Sequence, residues 1–243
     1  MPPPANSGSS TSTRANQHFE TSWFWRVLPA GMRRRWWLFR LFDIIARHRP
    51  VFGTPRGTLI IRMDGIGDMV LFRRTLDDYA TALDTSVSDI TVLGCKSWGP
   101  ISAEIFAGYK LIIIDEHAFA RQPFYRFKIG LLVRRLNVRR ALNDSYFRRA
   151  MMADSLVWLS GAAETTVSLP FISEPTRTEF NYYLSQVGQI IDTGPYPTHE
   201  SIRHYRFLSA LAGRFYAPQP PKIPWRTSKS LEGLPYVVLN PGS

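Results

Sequence analysis

Hydrophobic positions along the chain come in two rhythms. Short unbroken apolar runs alternate with longer stretches in which apolar residues recur every three or four positions. The runs are Leu59-Ile-Ile61, Ile90-Thr-Val-Leu93, Leu111-Ile-Ile-Ile114 and, more weakly, Val138 to Asn143. Between them, 69–82, 101–107, 127–136 and 145–160 carry helical spacing, and 179–191 and 199–216 predict two further helices. Continuous apolar strands that alternate with helices indicate a parallel sheet covered on both faces, so the expected class is α/β and Rossmann-like. Earlier in the chain, Pro29 and Gly31 interrupt a segment rich in tryptophan and arginine, and a helix is expected from Met32 to His48.

The flanks differ in character. Residues 1–22 are polar and rich in Ser, Thr and Pro, the composition of a disordered tail. Residues 23–50 form a basic aromatic segment, and 51–217 hold the sheet domain. Residues 218–234, opening with Pro218-Gln-Pro-Pro221, read as a linker. Pro235-Tyr-Val-Val-Leu239 reads as a strand opening a second domain that would be truncated at Ser243.

Composition is that of a globular protein, with 44% apolar and 20% charged residues among 243. The formal charge of +11 is uneven. Residues 1–50 carry +6, 51–120 carry −3 and 121–149 carry +8, while the remainder balances. Basic clusters of this kind suit an anionic partner. On the expected helix, Arg33, Arg40 and Arg47 recur every seven residues beside Trp36, Trp37, Leu41 and Ile45. That pattern fits a helix at an anionic membrane interface, with arginines on lipid phosphate, and equally one docked on its own domain. No apolar run reaches the length of a membrane span. A single cysteine, Cys95, excludes an internal disulfide, and the five histidines show no metal-ligand spacing, so no metal is expected. No RNA- or DNA-binding module is recognisable, so nucleic acid is not an expected partner.

The chemistry concentrates in Arg62-Met-Asp-Gly-Ile-Gly-Asp68, directly after the first strand. A dinucleotide fingerprint would need a third glycine where Val70 stands, and a P-loop would need Lys where Asp68 stands. A carboxylate at the start of a helix repels phosphate but is favoured by the positive helix end. At the carboxyl edge of a parallel sheet it can act as a general base toward a hydroxyl. It can also be no more than a helix cap.

The same segment resembles the amino-terminal signature of glycosyltransferase family 9, which contains the ADP-heptose:lipopolysaccharide heptosyltransferases. Ile90-Thr-Val-Leu-Gly94, Tyr109-Lys-Leu-Ile-Ile-Ile-Asp115, Asn143-Asp-Ser-Tyr-Phe-Arg148, Ser160-Gly-Ala162, the helix 179–188 and Val237-Val-Leu-Asn-Pro-Gly-Ser243 continue the resemblance in order. Phe147 stands where the family commonly has Ser. The resemblance implies the amino-terminal, acceptor-binding half of a GT-B glycosyltransferase. It implies inverting sugar transfer from a nucleotide-sugar donor, such as ADP-heptose, to a lipopolysaccharide-type glycolipid, without another cofactor. Asp68 would be the base, Arg62 would hold anionic groups of the acceptor, and Arg148 would share that task. Gly65 and Gly67 would shape the acceptor turn, and Asp64, where a small residue is frequent, would alter acceptor choice or simply form the turn. Gly242 and Ser243 would open the donor-phosphate loop. The implied setting is cytoplasmic, peripheral to the inner face of the bacterial inner membrane. With that loop barely begun, little transfer is expected from this chain alone. The competing reading is a non-catalytic truncated relative that binds membrane or glycan.

Overall fold

A computed structural model describes residues 36–220, with side chains from Phe39 onward. The tail 1–22, the start of the expected helix at 32–35, most of the linker and the strand at 235–239 lie outside the described residues, as do Gly242 and Ser243. The elements run α1 (Trp36–Arg47), β1 (Thr58–Arg62), α2 (Ile66–Ala82), β2 (Ile90–Cys95), α3 (Gly99–Ile105), β3 (Lys110–Ile114), α4 (Glu116–Arg121), α5 (Pro123–Arg135), β4 (Arg140–Asn143), α6 (Ser155–Ser160), β5 (Glu164–Ser168), α7 (Arg177–Leu184), β6 (Gln189–Ile191) and α8 (Glu200–Ala212).

All strands are parallel, in the order β3-β2-β1-β4-β5-β6. The fold is α/β and Rossmann-like. Alternation along β1 explains why the strand is apolar throughout. Leu59 and Ile61 join Leu93, Ala141 and Val167 on one face, while Ile60 joins Val92, Leu142 and Ile191 on the other. Helices α5, α6 and α7 cover the first face, and α2, α3 and α8 the second. Gly94 in β2 has no side chain because the indole of Trp98 fills that space, itself stacked against Phe106 at 5.2 Å between ring centroids.

Several boundaries differ from the sequence reading, each for a local reason. The expected helix over 179–191 ends at Leu184, and Gln189–Ile191 is instead strand β6. Gly188 sits close against the Thr165 backbone, and its N–H donates to Thr165 Oγ1, which turns the chain into the sheet. β5 carries Glu164, Thr165 and Thr166 before Val167, so it lacks an apolar run. Within 145–160, regular α-helix begins only at Ser155, after a π-turn over Ala150–Asp154. α5 starts at Pro123, ahead of the expected Phe127, because proline suits the first helical turn.

α1 is docked on its own domain. Asp43 accepts two bonds from Arg126, at 2.8 and 2.7 Å, and both side chains are buried. Arg40 lies between the rings of Trp158 (4.0 Å) and Tyr182 (3.9 Å), and Arg47 donates to the Trp158 carbonyl. The described part of the arginine stripe therefore faces the protein rather than lipid phosphate. Leu41, Ile44 and Ile45 face solvent instead. No helix among the described residues is long and apolar enough to cross a membrane.

Candidate active site at the strand switch point

In this strand order the chain reverses direction across the sheet between β1 and β4, and the crevice beyond their carboxyl ends is where open α/β sheets receive ligands. β1 leads through Met63, Asp64 and Gly65 into α2, and β4 leads into Asp144 and Ser145. A cleft of about 570 Å³ opens here, lined among others by Asp64, Gly65, Asp68, His117, Arg121, Phe147, Arg148 and Arg149.

Asp68 sits in the first turn of α2, while the capping position belongs to Gly65, which offers no side chain. Asp68 is exposed and lines the cleft. The cap-only reading of Asp68 is therefore not what the backbone shows. Neither Gly65 nor Gly67 adopts a positive φ, and a Cβ at either would meet nothing within 4 Å. Their contribution is open space beside the carboxylate. Gly65 lines the cleft and Gly67 does not.

Arg62 lies beneath the cleft rather than on it. It is 1% exposed, bonded to Asp144, 2.8 Å from Asp64, and stacked over Phe72 at 4.3 Å. Asp144 in turn faces His204 Nδ1 at 2.9 Å, with both groups fully buried. Burial alone would raise the Asp144 pKa, yet Arg62 and His204 together hold it well below the usual carboxylate range. Burial likewise opposes the Arg62 charge, and Asp144 and Asp64 more than offset it, so its pKa rises. Asp64 also accepts a bond from Ser145 Oγ at 2.9 Å. Its pKa is raised, chiefly by burial, against the opposing pull of Arg62. Asp64 thus latches the β1–α2 loop to the β4 loop.

Arg148 borders the cleft, but its guanidinium is taken up elsewhere. It bonds Asp154 (2.9 Å), Ser168 Oγ (2.9 Å), the Ser168 carbonyl (2.8 Å) and the Ser145 carbonyl. The expected acceptor contact of Arg62 and Arg148 is thus not where their charge is spent. The exposed cations on the cleft wall are Arg149, next in the chain, and Arg121 at the end of α4, and His117 lines the same cleft. Asp115, also at the sheet edge, caps α4 by accepting from the Ala118 N–H at 2.8 Å. Sequence reasoning missed Asp144, His204, Arg121 and Arg149. For Asp144 the signal was available, since it follows the strand beside β1. For His204 there was none, because its partner is sixty residues away in sequence.

No protein-family model matches this chain, and no curated protein does. Among solved structures it is similar to a glycosyl transferase family 9 protein from Veillonella parvula, at 14% identity and a TM-score of 0.47. It is also similar to the ADP-heptose LPS heptosyltransferase II of E. coli, at 16% and 0.45. Each comparison covers 72% of this chain, and 46% and 47% of the other. The chain therefore spans about half the length of either. Likeness at this level concerns the path of the backbone and leaves the chemistry to be argued from the cleft.

Proposed function

We propose that this chain is the acceptor-binding half of a glycosyltransferase of the heptosyltransferase type. The observation that carries the reading is Asp68, an exposed carboxylate on the first turn of α2, in a cleft at the switch point of a parallel sheet. A hydroxyl seated there loses its proton to Asp68 as it attacks the anomeric carbon of a nucleotide sugar from the face opposite the departing diphosphate. Arg121 and Arg149 supply positive charge for an acidic or phosphorylated acceptor, with a geometry suited to carboxylate and phosphate. The implied donor is a nucleotide sugar of the ADP-heptose kind, and the acceptor a lipopolysaccharide-type glycolipid. Phosphate groups of the donor fall to Gly242 and Ser243 and to whatever follows them in an intact transferase.

The setting is peripheral, at the inner face of a bacterial inner membrane. Leu41, Ile44 and Ile45 on α1, with Phe124 and Lys128 on α5, present an exposed apolar and basic face. The carboxylate of α1, Asp43, is buried against Arg126, and α5 has none. Such a face suits anionic lipid.

The test is sugar transfer from ADP-heptose to a lipid A-type acceptor in a polypeptide carrying both halves. Asp68→Asn should lower kcat by roughly 10²–10⁴-fold while leaving acceptor affinity within about threefold. Equal rates for the variant and the parent would remove Asp68 from the chemistry.

A further inference from the structure

Three loops at the carboxyl edge of the sheet bring aromatic rings together beside the cleft. The loop after β4 carries Tyr146 and Phe147, that after β5 carries Phe171, and that after β6 carries Tyr196. Phe147 stands edge-on to Tyr146 at 4.9 Å, lies 5.6 Å from Phe171 and meets Tyr196 at 6.0 Å. Tyr146 is buried, but Phe147, Phe171 and Tyr196 are 54%, 48% and 67% exposed. Three large rings left half in water are held there by the fold rather than by collapse. An exposed apolar cluster rimmed by polar groups marks a binding surface.

The cluster is built, not loose. Arg203 of α8 is fully buried and lies 3.5 Å over the Tyr146 ring. It donates to the carbonyls of Gly194 (2.6 Å), Pro195 (2.8 Å) and Thr198 (3.2 Å), which fixes the loop carrying Tyr196. The Phe171 N–H donates to the Tyr146 carbonyl at 2.9 Å, which ties the second loop to the first. Ser145 is bonded to Asp64, which ties the first loop to the turn bearing Asp68. One guanidinium and two hydrogen bonds therefore set the shelf relative to the candidate base.

Phe147 and Phe171 line the same cleft as Asp68, Glu116, His117, Ser173 and Thr176. The cleft volume falls within the range of about 300–1,000 Å³ usual for small-ligand sites. The cleft offers carboxylates and an imidazole from Asp68, Glu116 and His117, and apolar ring surface from Phe147 and Phe171. A pyranose has the matching division, with hydroxyls around its edge and C–H bonds on its faces. Inorganic phosphate has no use for half-exposed phenyl rings.

We infer that Phe147, Phe171 and Tyr196 form a stacking subsite for a pyranose ring of the acceptor, which orients that sugar's hydroxyl edge toward Asp68. The inference rests on the acceptor-binding reading above and adds the residues that choose the sugar. Phe147 is the central ring, since it touches all the others.

The test is saturation-transfer NMR and calorimetry of the 243-residue chain with deacylated lipopolysaccharide oligosaccharide, with inorganic phosphate as the control for charge alone. Irradiation of aromatic protons should saturate C–H protons of one sugar face. Phe147→Leu, which keeps apolar bulk but removes the ring, should weaken Kd by about 3- to 10-fold, and Phe147→Tyr should restore it. Tyr196→Ala, at a still more exposed ring, should also weaken binding, with an unchanged Tm excluding misfolding. Phosphate affinity should not move in any of these variants. Oligosaccharide binding that is equal in the parent, Phe147→Leu and Tyr196→Ala proteins overturns the shelf and leaves the role of Asp68 standing. Failure of the parent chain to bind the oligosaccharide overturns the acceptor-binding reading itself, and the shelf with it. A Phe147→Leu protein that loses a protein–protein contact instead of saccharide affinity also overturns the inference.

Discussion

Replacing Asp144 by Asn should be among the most damaging conservative changes in the domain. Asp144 is fully buried and neutralises Arg62, which is 1% exposed, and it also faces the buried ring of His204. The amide keeps the shape and removes the charge, so Arg62 is left with Asp64 alone. Removing one partner of a buried pair typically costs about 3–5 kcal/mol, because the other charge stays desolvated. Asp64, 2.8 Å from Arg62, retains part of the compensation, so the lower end, ~3 kcal/mol, is expected. For a domain of this size that corresponds to a Tm drop of roughly 6–12 °C, measured by circular dichroism at pH 7. The cost has a pH signature. The Asp144 pKa is depressed in the folded state, so its stabilisation is complete above the unfolded value and is lost as pH falls toward the folded one. The gap between parent and variant should therefore hold above about pH 5 and narrow below about pH 4. A triple variant, Arg62→Met with Asp144→Leu and Asp64→Asn, removes all three charges of the network and should recover part of the loss. A single variant within ~1 kcal/mol of the parent, or a gap that does not narrow in acid, would refute the assignment of Asp144 as the anchor of this network.

Gly94→Ala places a Cβ inside the Trp98 indole, so it should cost at least about 1–3 kcal/mol in urea unfolding and shift tryptophan emission; a neutral result would mean that β2 and the following turn separate easily. Ile45→Ser with Phe124→Ser should reduce co-sedimentation with anionic liposomes without lowering Tm, because both side chains are exposed. Unchanged co-sedimentation of that pair would remove the membrane role of the α1–α5 face.

Strands β1 and β2 were legible because each buries both faces, and β3 was legible because it is an unbroken apolar run although it lies at the sheet edge. Leu59-Ile-Ile61 and Leu111-Ile-Ile-Ile114 have no polar position to mislead the reading, and with Ile90–Leu93 they fixed a parallel sheet in the sequence alone. β5 and β6 were not legible, because neither carries an apolar run long enough to read as a strand. β6 has three residues, and β5 is mostly Glu and Thr, held by pairing with β4 and β6 rather than by its own pattern. The α1 helix was visible by its period, but its orientation was inverted. Hydropathy places arginine outward, whereas here Arg40 is taken in between the rings of Trp158 and Tyr182, and Arg126 is taken in against Asp43. Likewise the turn after β1 was legible as the opening of a helix at the carboxyl edge of the sheet, where Asp68 lies exposed beside the cleft. The fates of Arg62 and Arg148 depended on Asp144, which follows the strand beside β1, and on Asp154, which a π-turn brings back to Arg148.

The carboxylates around Arg62 decide what the cleft can do. A Rossmann-like switch point ordinarily admits phosphate because its turn presents backbone N–H groups and no negative charge. Here the turn carries two aspartates, and the network sorts them. Asp64 is consumed by Arg62 and Ser145, and Asp144 holds Arg62 from below, so no cation rises to meet a phosphate at the turn itself. Asp68 is left as the exposed carboxylate on that side, while Arg121 and Arg149 stand on the wall. Negative groups of a ligand are thereby drawn away from the turn, and a neutral hydroxyl is what the turn can accept. On the proposed function, the arrangement separates where an acidic acceptor would be held from where it would be deprotonated, which is the division a base-assisted glycosyl transfer requires.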